Sequence, residues 1–180
     1  MNFIVWMLPV IFMIHDFEEI IMAEVWGKRY SKEINKVWPN KQPFGLNYIK
    51  NCHTPTFSIG VEVEFLAFTV ISLFSVIFDN YFIWFSAFLG VLIHMVLIHM
   101  VICFKFKNYV PGVITSVIFF IPGSWFLYKA CGILNYGIVT VLLATLLGII
   151  LIAVMIPVLH KFMGSWSQWL YQYSNKSSKI

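Results

Sequence analysis

The sequence predicts an all-α membrane bundle of about five transmembrane helices. Three observations predict it. Of the 180 residues, 60% are hydrophobic, only 11% are charged and 18% are aromatic, far from the balance of a soluble domain. The apolar residues fall in five stretches, each near the roughly 20 residues a helix needs to cross a ~30 Å hydrocarbon core. The basic residues collect in alternate connections between those stretches, as the positive-inside pattern requires. The whole chain, 1–180, reads as a single membrane domain, with no long polar linker and no repeat.

In chain order, the first span is expected at about residues 2–25. It does not read as a cleavable signal peptide: the earliest basic residue is Lys28, no small-residue cleavage site follows, and the apolar stretch is too long. It is therefore expected to stay in the mature protein. Residues 27–56 read as a cytoplasmic loop lying on the membrane, rich in Lys and Asn and carrying Pro39, Pro43 and Pro55. Spans two and three, about 57–78 and 82–104, are joined by a very short turn at Asp79-Asn80 and must be antiparallel neighbours. Span four, about 110–129, contains Pro122-Gly123, where a missing backbone bond bends a helix. Span five is expected at about 134–159. Beyond it Phe162, Trp166, Trp169, Leu170 and Tyr173 recur at helical spacing, the pattern of a short interfacial C-terminal helix. Cys52, Cys103 and Cys131 share no close spacing and read as packing residues.

Charge sets the orientation. Lys28, Arg29, Lys32, Lys36, Lys41 and Lys50 follow span one, Lys105 and Lys107 follow span three, and Lys161, Lys176 and Lys179 follow span five. Of the twelve basic residues only Lys129 falls on the other side. This predicts an outside N-terminus and a cytoplasmic C-terminus. The net charge of +4 is thus a topology signal; the expected partners are membrane lipids and not nucleic acid.

The acids are placed oppositely. Asp16, Glu18, Glu19, Glu62 and Glu64 lie within predicted spans, as do His15, His94 and His99. A charge near a span centre costs about 2.5–3.5 kcal/mol on insertion scales, so such residues are by default functional or paired. With His15 at 0° on a helix of 100° per residue, Glu18 falls near −60° and Glu19 near +40°, about one 100° face. Asp16 is on its flank. Glu62 and Glu64 lie about 200° apart, so at most one faces the same interior, and the deeper Glu64 is preferred. His94 and His99 are about 140° apart, which makes one of them the main contributor. By the helical rise of ~1.5 Å, Glu18, Glu19, Glu62, Glu64 and His99 share a layer roughly 5–9 Å to the cytoplasmic side of the midplane. Thr115 lies in the same half. One buried polar site accounts for this coincidence. His53 and His160 read as interfacial.

The run His15-Asp16-Phe17-Glu18-Glu19, the segment Tyr109-Val110-Pro111-Gly112-Val113-Ile114-Thr115, and a histidine about ten residues before it resemble the signatures of the HXXEE-motif family of bacterial membrane proteins. The family takes its name from the motif and not from an activity. The resemblance runs from residue 15 to 115 and implies that His99, not His94, is the principal histidine of span three. Metal dependence is what the motif suggests. Proline and glycine at 111–112 are by themselves an ordinary helix start, although their exposed backbone and the Thr115 hydroxyl can equally line the mouth of a site.

The first functional reading is a metal-dependent membrane enzyme, hydrolase-like, acting on a lipid-like substrate near the cytoplasmic side. Imidazoles with carboxylates are ligands for zinc, iron or manganese, here His15, Glu18, Glu19 and His99. Glu18, Glu19 and Glu64 are the candidate catalytic carboxylates. Asp16, Glu62, His94, Tyr109 and Thr115 are expected around them. A divalent cation would keep adjacent buried carboxylates ionised, acidify a water and polarise an ester, amide or phosphate. The alternatives are metal-free acid-base chemistry of an isomerase type, a proton or cation relay, a membrane immunity protein, or groups that only tie helices together. No nucleotide or redox-cofactor motif is present, and the sequence identifies no soluble partner.

Overall fold

A computed structural model describes residues 1–40, 42 and 53–175. Its elements are α1 (Asn2–Val5), α2 (Met7–Arg29), α3 (Ser31–Val37), α4 (Thr54–Ile77), α5 (Phe82–Ile93), a π-helical turn (His94–Ile98), α6 (His99–Phe106), α7 (Val113–Leu134) and α8 (Ile138–Ser174). No strand occurs among the described residues. Parts of the expected 27–56 loop, including Lys41, Pro43, Lys50 and Cys52, lie outside the described residues, as do Lys176 and Lys179.

Among the described residues, four helices are long and apolar enough to cross a membrane: Thr54–Ile77, Phe82–Phe106, Val113–Leu134 and Ile138–Ser174. The helix α2, where the first span was expected, is 23 residues long but carries Asp16, Glu18, Glu19 and Glu24. It sits in the bundle against α4 and α7. At its start the chain breaks between α1 and α2 for a readable reason. Pro9 has no N–H to give the Val5 carbonyl four residues earlier. That buried carbonyl instead accepts from Trp84 Nε1 at 2.7 Å and Ser72 Oγ at 3.2 Å, the replacement a bundle in lipid must supply.

The centre is α5, buried nearly all round through Trp84, Phe85, Ser86, Ala87, Phe88, Gly90, Val91 and Leu92, as a helix apolar on every side should be. It packs most extensively on α8 and also touches α2, α4 and α7. Contact with α8 is direct backbone on backbone at Gly90 and Gly148: a Cβ on Gly90 would come 2.5 Å from the Gly148 carbonyl oxygen, and one on Gly148 would collide with the Ser86 carbonyl. Small residues permit this closeness between helices in lipid. Gly148→Leu is expected to cost about 3 kcal/mol by overpacking, read as a lowered thermal unfolding midpoint in detergent, whereas Gly132→Leu, where an added Cβ meets nothing within 4 Å, serves as the unaffected comparison.

Two expectations are corrected at the ends. The residues read as a separate interfacial C-terminal helix continue α8 without interruption to Ser174. Hydropathy falls after Leu159 but backbone bonding does not, and Pro157 leaves the helix unbroken. The aromatic face is nonetheless there, with Trp166 stacked on Trp169 at 4.7 Å and Trp169 on Tyr173 at 5.5 Å. The expected fourth span begins later, at Val113, because Gly112 takes a left-handed φ of 84° that no helix continues.

Candidate metal centre

The acids of α2 divide by what meets them. A helix N-terminus leaves backbone N–H groups without acceptors and favours a negative charge. Glu24 meets the start of α4, accepting from Thr54 N at 2.8 Å, and also binds Lys28 Nζ at 2.6 Å. Glu18 meets the start of α7. It accepts from Thr115 N at 2.8 Å, Thr115 Oγ1 at 2.6 Å, Tyr109 Oη at 2.8 Å and Ile114 N at 3.4 Å. Burial and the Glu18 carboxylate hold the Tyr109 hydroxyl well above the usual phenol range, so Tyr109 stays a donor. Glu18, expected among the ligands and catalytic groups, thus has both oxygens engaged in joining α2 to α7. Asp16 and Glu19 remain.

Glu19 faces two buried histidines. Its Oε1 lies 3.0 Å from His99 Nε2 and 3.7 Å from His15 Nε2, and the two imidazoles meet edge to face with centroids 4.8 Å apart. The other ring nitrogen of each histidine fixes its tautomer. His99 Nδ1 is 3.0 Å from the Pro111 carbonyl oxygen, which can only accept, so Nδ1 carries the proton. His15 Nδ1 is 2.9 Å from Thr115 Oγ1. That hydroxyl gives its single proton to Glu18 over its shortest contact, so His15 Nδ1 must donate to it. When neutral, both rings therefore turn an Nε2 lone pair toward the Glu19 carboxylate. Both Nε2 atoms are buried without a satisfactory hydrogen bond, although the 3.0 Å separation from Glu19 is ion-pair distance.

His15, Glu19 and His99 offer one ligand atom each, all within 4.8 Å of one another, and can hold a metal ion. A histidine ligand that donates its second nitrogen to a carbonyl or hydroxyl is the usual support around a metal. Gly112 closes the other side. A Cβ there would stand 2.5 Å from His99 Cε1 and 2.6 Å from Glu19 Oε1, so this position must be glycine for both its backbone conformation and its closeness. The Pro111-Gly112 segment is consequently part of the wall of the site, just ahead of the helix start.

A cavity of about 90 Å³ adjoins these ligands, lined also by Asp16, Glu64, His94 and His160. Asp16 Oδ1 is 3.7 Å from His15 Nε2. Glu64 faces the cavity, whereas Glu62, expected near it, is exposed and does not line it; the two are too far apart around one helix to share an interior. The expectation that one of His94 and His99 is the main contributor assumed a regular α-helix. The π turn His94–Ile98 adds a residue to that turn and brings residues five apart toward one face. The two rings lie 5.3 Å apart, and both line the cavity. His160, read as interfacial just beyond the predicted end of span five, lines this cavity. Its spacing from Ile152 and Ile156, eight and four residues earlier on the same face, is the signal that finds it.

A sequence-family model described as "Protein of unknown function with HXXEE motif" matches residues 6–127. The match covers every residue of the His15, Glu19 and His99 group and its supports and stops short of His160. No curated protein and no solved structure matches the chain.

Proposed function

The chain belongs to the HXXEE-motif family, whose function is unknown, and from that premise we propose that it is a metal-dependent integral membrane enzyme, hydrolase-like, acting on a lipid-like substrate. The observation that carries this reading is the convergence of two buried Nε2 atoms on one carboxylate. A proton shared by His99 and Glu19 would satisfy that pair alone and leave His15 Nε2 unmatched; a divalent cation satisfies all three. Two histidines and a glutamate form a ligand set that suits zinc, and two histidines with one carboxylate also suit iron. Manganese accepts the same donors. When bound, such an ion acts as a Lewis acid on a carbonyl or phosphoryl oxygen and acidifies water.

The residues around it supply the rest. Glu64 and Asp16, at the cavity wall, are placed to take and return a proton, each by way of a carboxylate oxygen. Thr115, held by Glu18, keeps the His15 ring turned with Nε2 inward, and the Pro111 carbonyl does the same for His99. The surrounding apolar helices exclude bulk water, which strengthens every charge interaction in the site. The distribution of lysine and arginine supports a multi-pass protein of the cell membrane with its C-terminus cytoplasmic.

A metal-free acid-base enzyme is the second reading, favoured by the 3.0 Å separation of His99 Nε2 and Glu19 Oε1, a distance at which an imidazolium and a carboxylate share a proton. Elemental analysis of protein purified without chelator separates the two. About one equivalent of zinc, iron or manganese per chain is expected. Absence of stoichiometric metal, before and after incubation with Zn²⁺, Fe²⁺ or Mn²⁺, overturns the metal reading in favour of the second.

A further inference from the structure

A second cavity, of about 140 Å³, lies between the α5–π-turn segment and α8, and shares His94, Ile98, Ile152 and Ile156 with the polar cavity. The rest of its wall is Gly90, Ile93, Ile149, Ala153 and Pro157. His94, at the junction, is its sole residue with a polar side chain. The cause lies in the helices. α5 and α8 touch backbone to backbone at Gly90 and Gly148, and further along each helix carries an irregularity, the π turn on one and Pro157 on the other. A proline removes a backbone bond from its helix, and the space lies beside Pro157. Ala153 and Ile149, on its wall, are both exposed on the outer surface of α8, next to Leu146, Ile150 and Val154, which are 57%, 49% and 61% exposed. That is an apolar surface of the kind that faces lipid tails. The groove therefore lies between the apolar outer surface of α8 and the polar cavity, with which it shares four wall residues.

We propose that this groove is a lateral portal that holds the apolar chain of an amphipathic lipid while its polar head reaches His15, Glu19 and His99. The proposal rests on the site being a substrate site, as put forward above, and adds to it the seat of the substrate's apolar chain and its route. Position decides the occupant. A water-soluble substrate would gain nothing from an apolar groove beside the lipid-facing surface, and an apolar molecule without a head would make no use of the polar end at His15, Glu19 and His99. The size suits one chain: an apolar cavity of about 150 Å³ takes a benzene-sized group, so a middle portion of one chain fits and the remainder extends into the bilayer.

Two palmitate analogues test this, one with a diazirine next to the carboxylate and one with it in mid-chain, each photolysed with the full-length protein in phosphatidylglycerol–phosphatidylcholine nanodiscs. Labelled residues are then mapped by mass spectrometry. The mid-chain probe is expected to label Ile93, Ala153 and Ile156 well above Val117 and Ile121, which are exposed on α7, and the carboxylate-proximal probe to label Phe12, Val61 and Met95 of the polar cavity. Ala153→Phe, which fills the groove from an exposed position, should lower groove labelling roughly tenfold, the loss that about 1.4 kcal/mol produces, while Val154→Phe leaves it unchanged. Groove labelling no greater than that of α7, or insensitive to Ala153→Phe, overturns the portal. Metal content is measured on the same samples. Groove labelling without metal supports the portal and sinks only the metal reading; stoichiometric metal with uniform labelling does the reverse.

Discussion

His99→Ala and Glu19→Ala are each expected to lower the affinity for a divalent metal by roughly a thousandfold or more, since losing merely an outer partner of a ligand costs about 10- to 100-fold. Each removes one of three atoms that converge within 4.8 Å of one another. Glu18 cannot swing in, because four donors from Tyr109, Ile114 and Thr115 hold its oxygens. A graded series follows from the same geometry. Thr115→Val removes the hydroxyl that orients His15 and should weaken binding by about 10- to 100-fold, while Glu62→Ala, exposed and away from the cavity, should leave it unchanged. Isothermal titration of chelator-treated protein with Zn²⁺ reads all four. Equal affinity across the series would mean that the ion sits elsewhere.

The second large effect is Gly112→Ala. An alanine there must hold a φ of 84°, which costs an L-residue about 1–2 kcal/mol, and its Cβ would press on His99 Cε1 and Nδ1 and on Glu19 Oε1 at 2.5–2.7 Å. Overpacking adds about 1–3 kcal/mol. Both the thermal unfolding midpoint and metal affinity should fall together, because the methyl group displaces the ligands themselves. Gly137→Ala is the comparison: that glycine has a φ of −76° and nothing within 4 Å of an added Cβ, so no loss of metal affinity is expected. A Gly112→Ala variant with wild-type affinity and stability would show that the Pro111-Gly112 segment does not wall the site.

Much of this site was legible in the sequence. The 100° helical period places His15 and Glu19 on one face, and the observed 3.7 Å between them is what an i, i+4 pair gives. That at most one of Glu62 and Glu64 faces the interior follows from the same rule, and depth is what favours Glu64. Other features depend on partners that one helix's pattern cannot show. Glu18 and Glu24 share α2 with Glu19, yet they complete the N-termini of α7 and α4, and nothing within α2 distinguishes the three. The π turn at His94–Ile98 breaks the period on which the angular argument relies, so the sequence separates two histidines that the fold brings together. His160 falls outside the predicted span because hydropathy declines before the helix ends. Lys161, Ser165 and Gln168 lower the hydropathy of that stretch without interrupting its backbone bonds, and α8 runs on to Ser174. The start of α2 teaches the converse. Pro9 can be read from sequence as a helix fault, but the tertiary donors Trp84 and Ser72, which make it tolerable, cannot.

The claim that His15, Glu19 and His99 form a metal centre is tested most directly by X-ray absorption on the metal-loaded protein. The expected first shell holds two imidazole nitrogens at about 2.0–2.1 Å and carboxylate oxygen at about 2.0–2.2 Å, with the imidazole scattering halved in His99→Ala. A shell of oxygen alone, or one unchanged by that substitution, would contradict it.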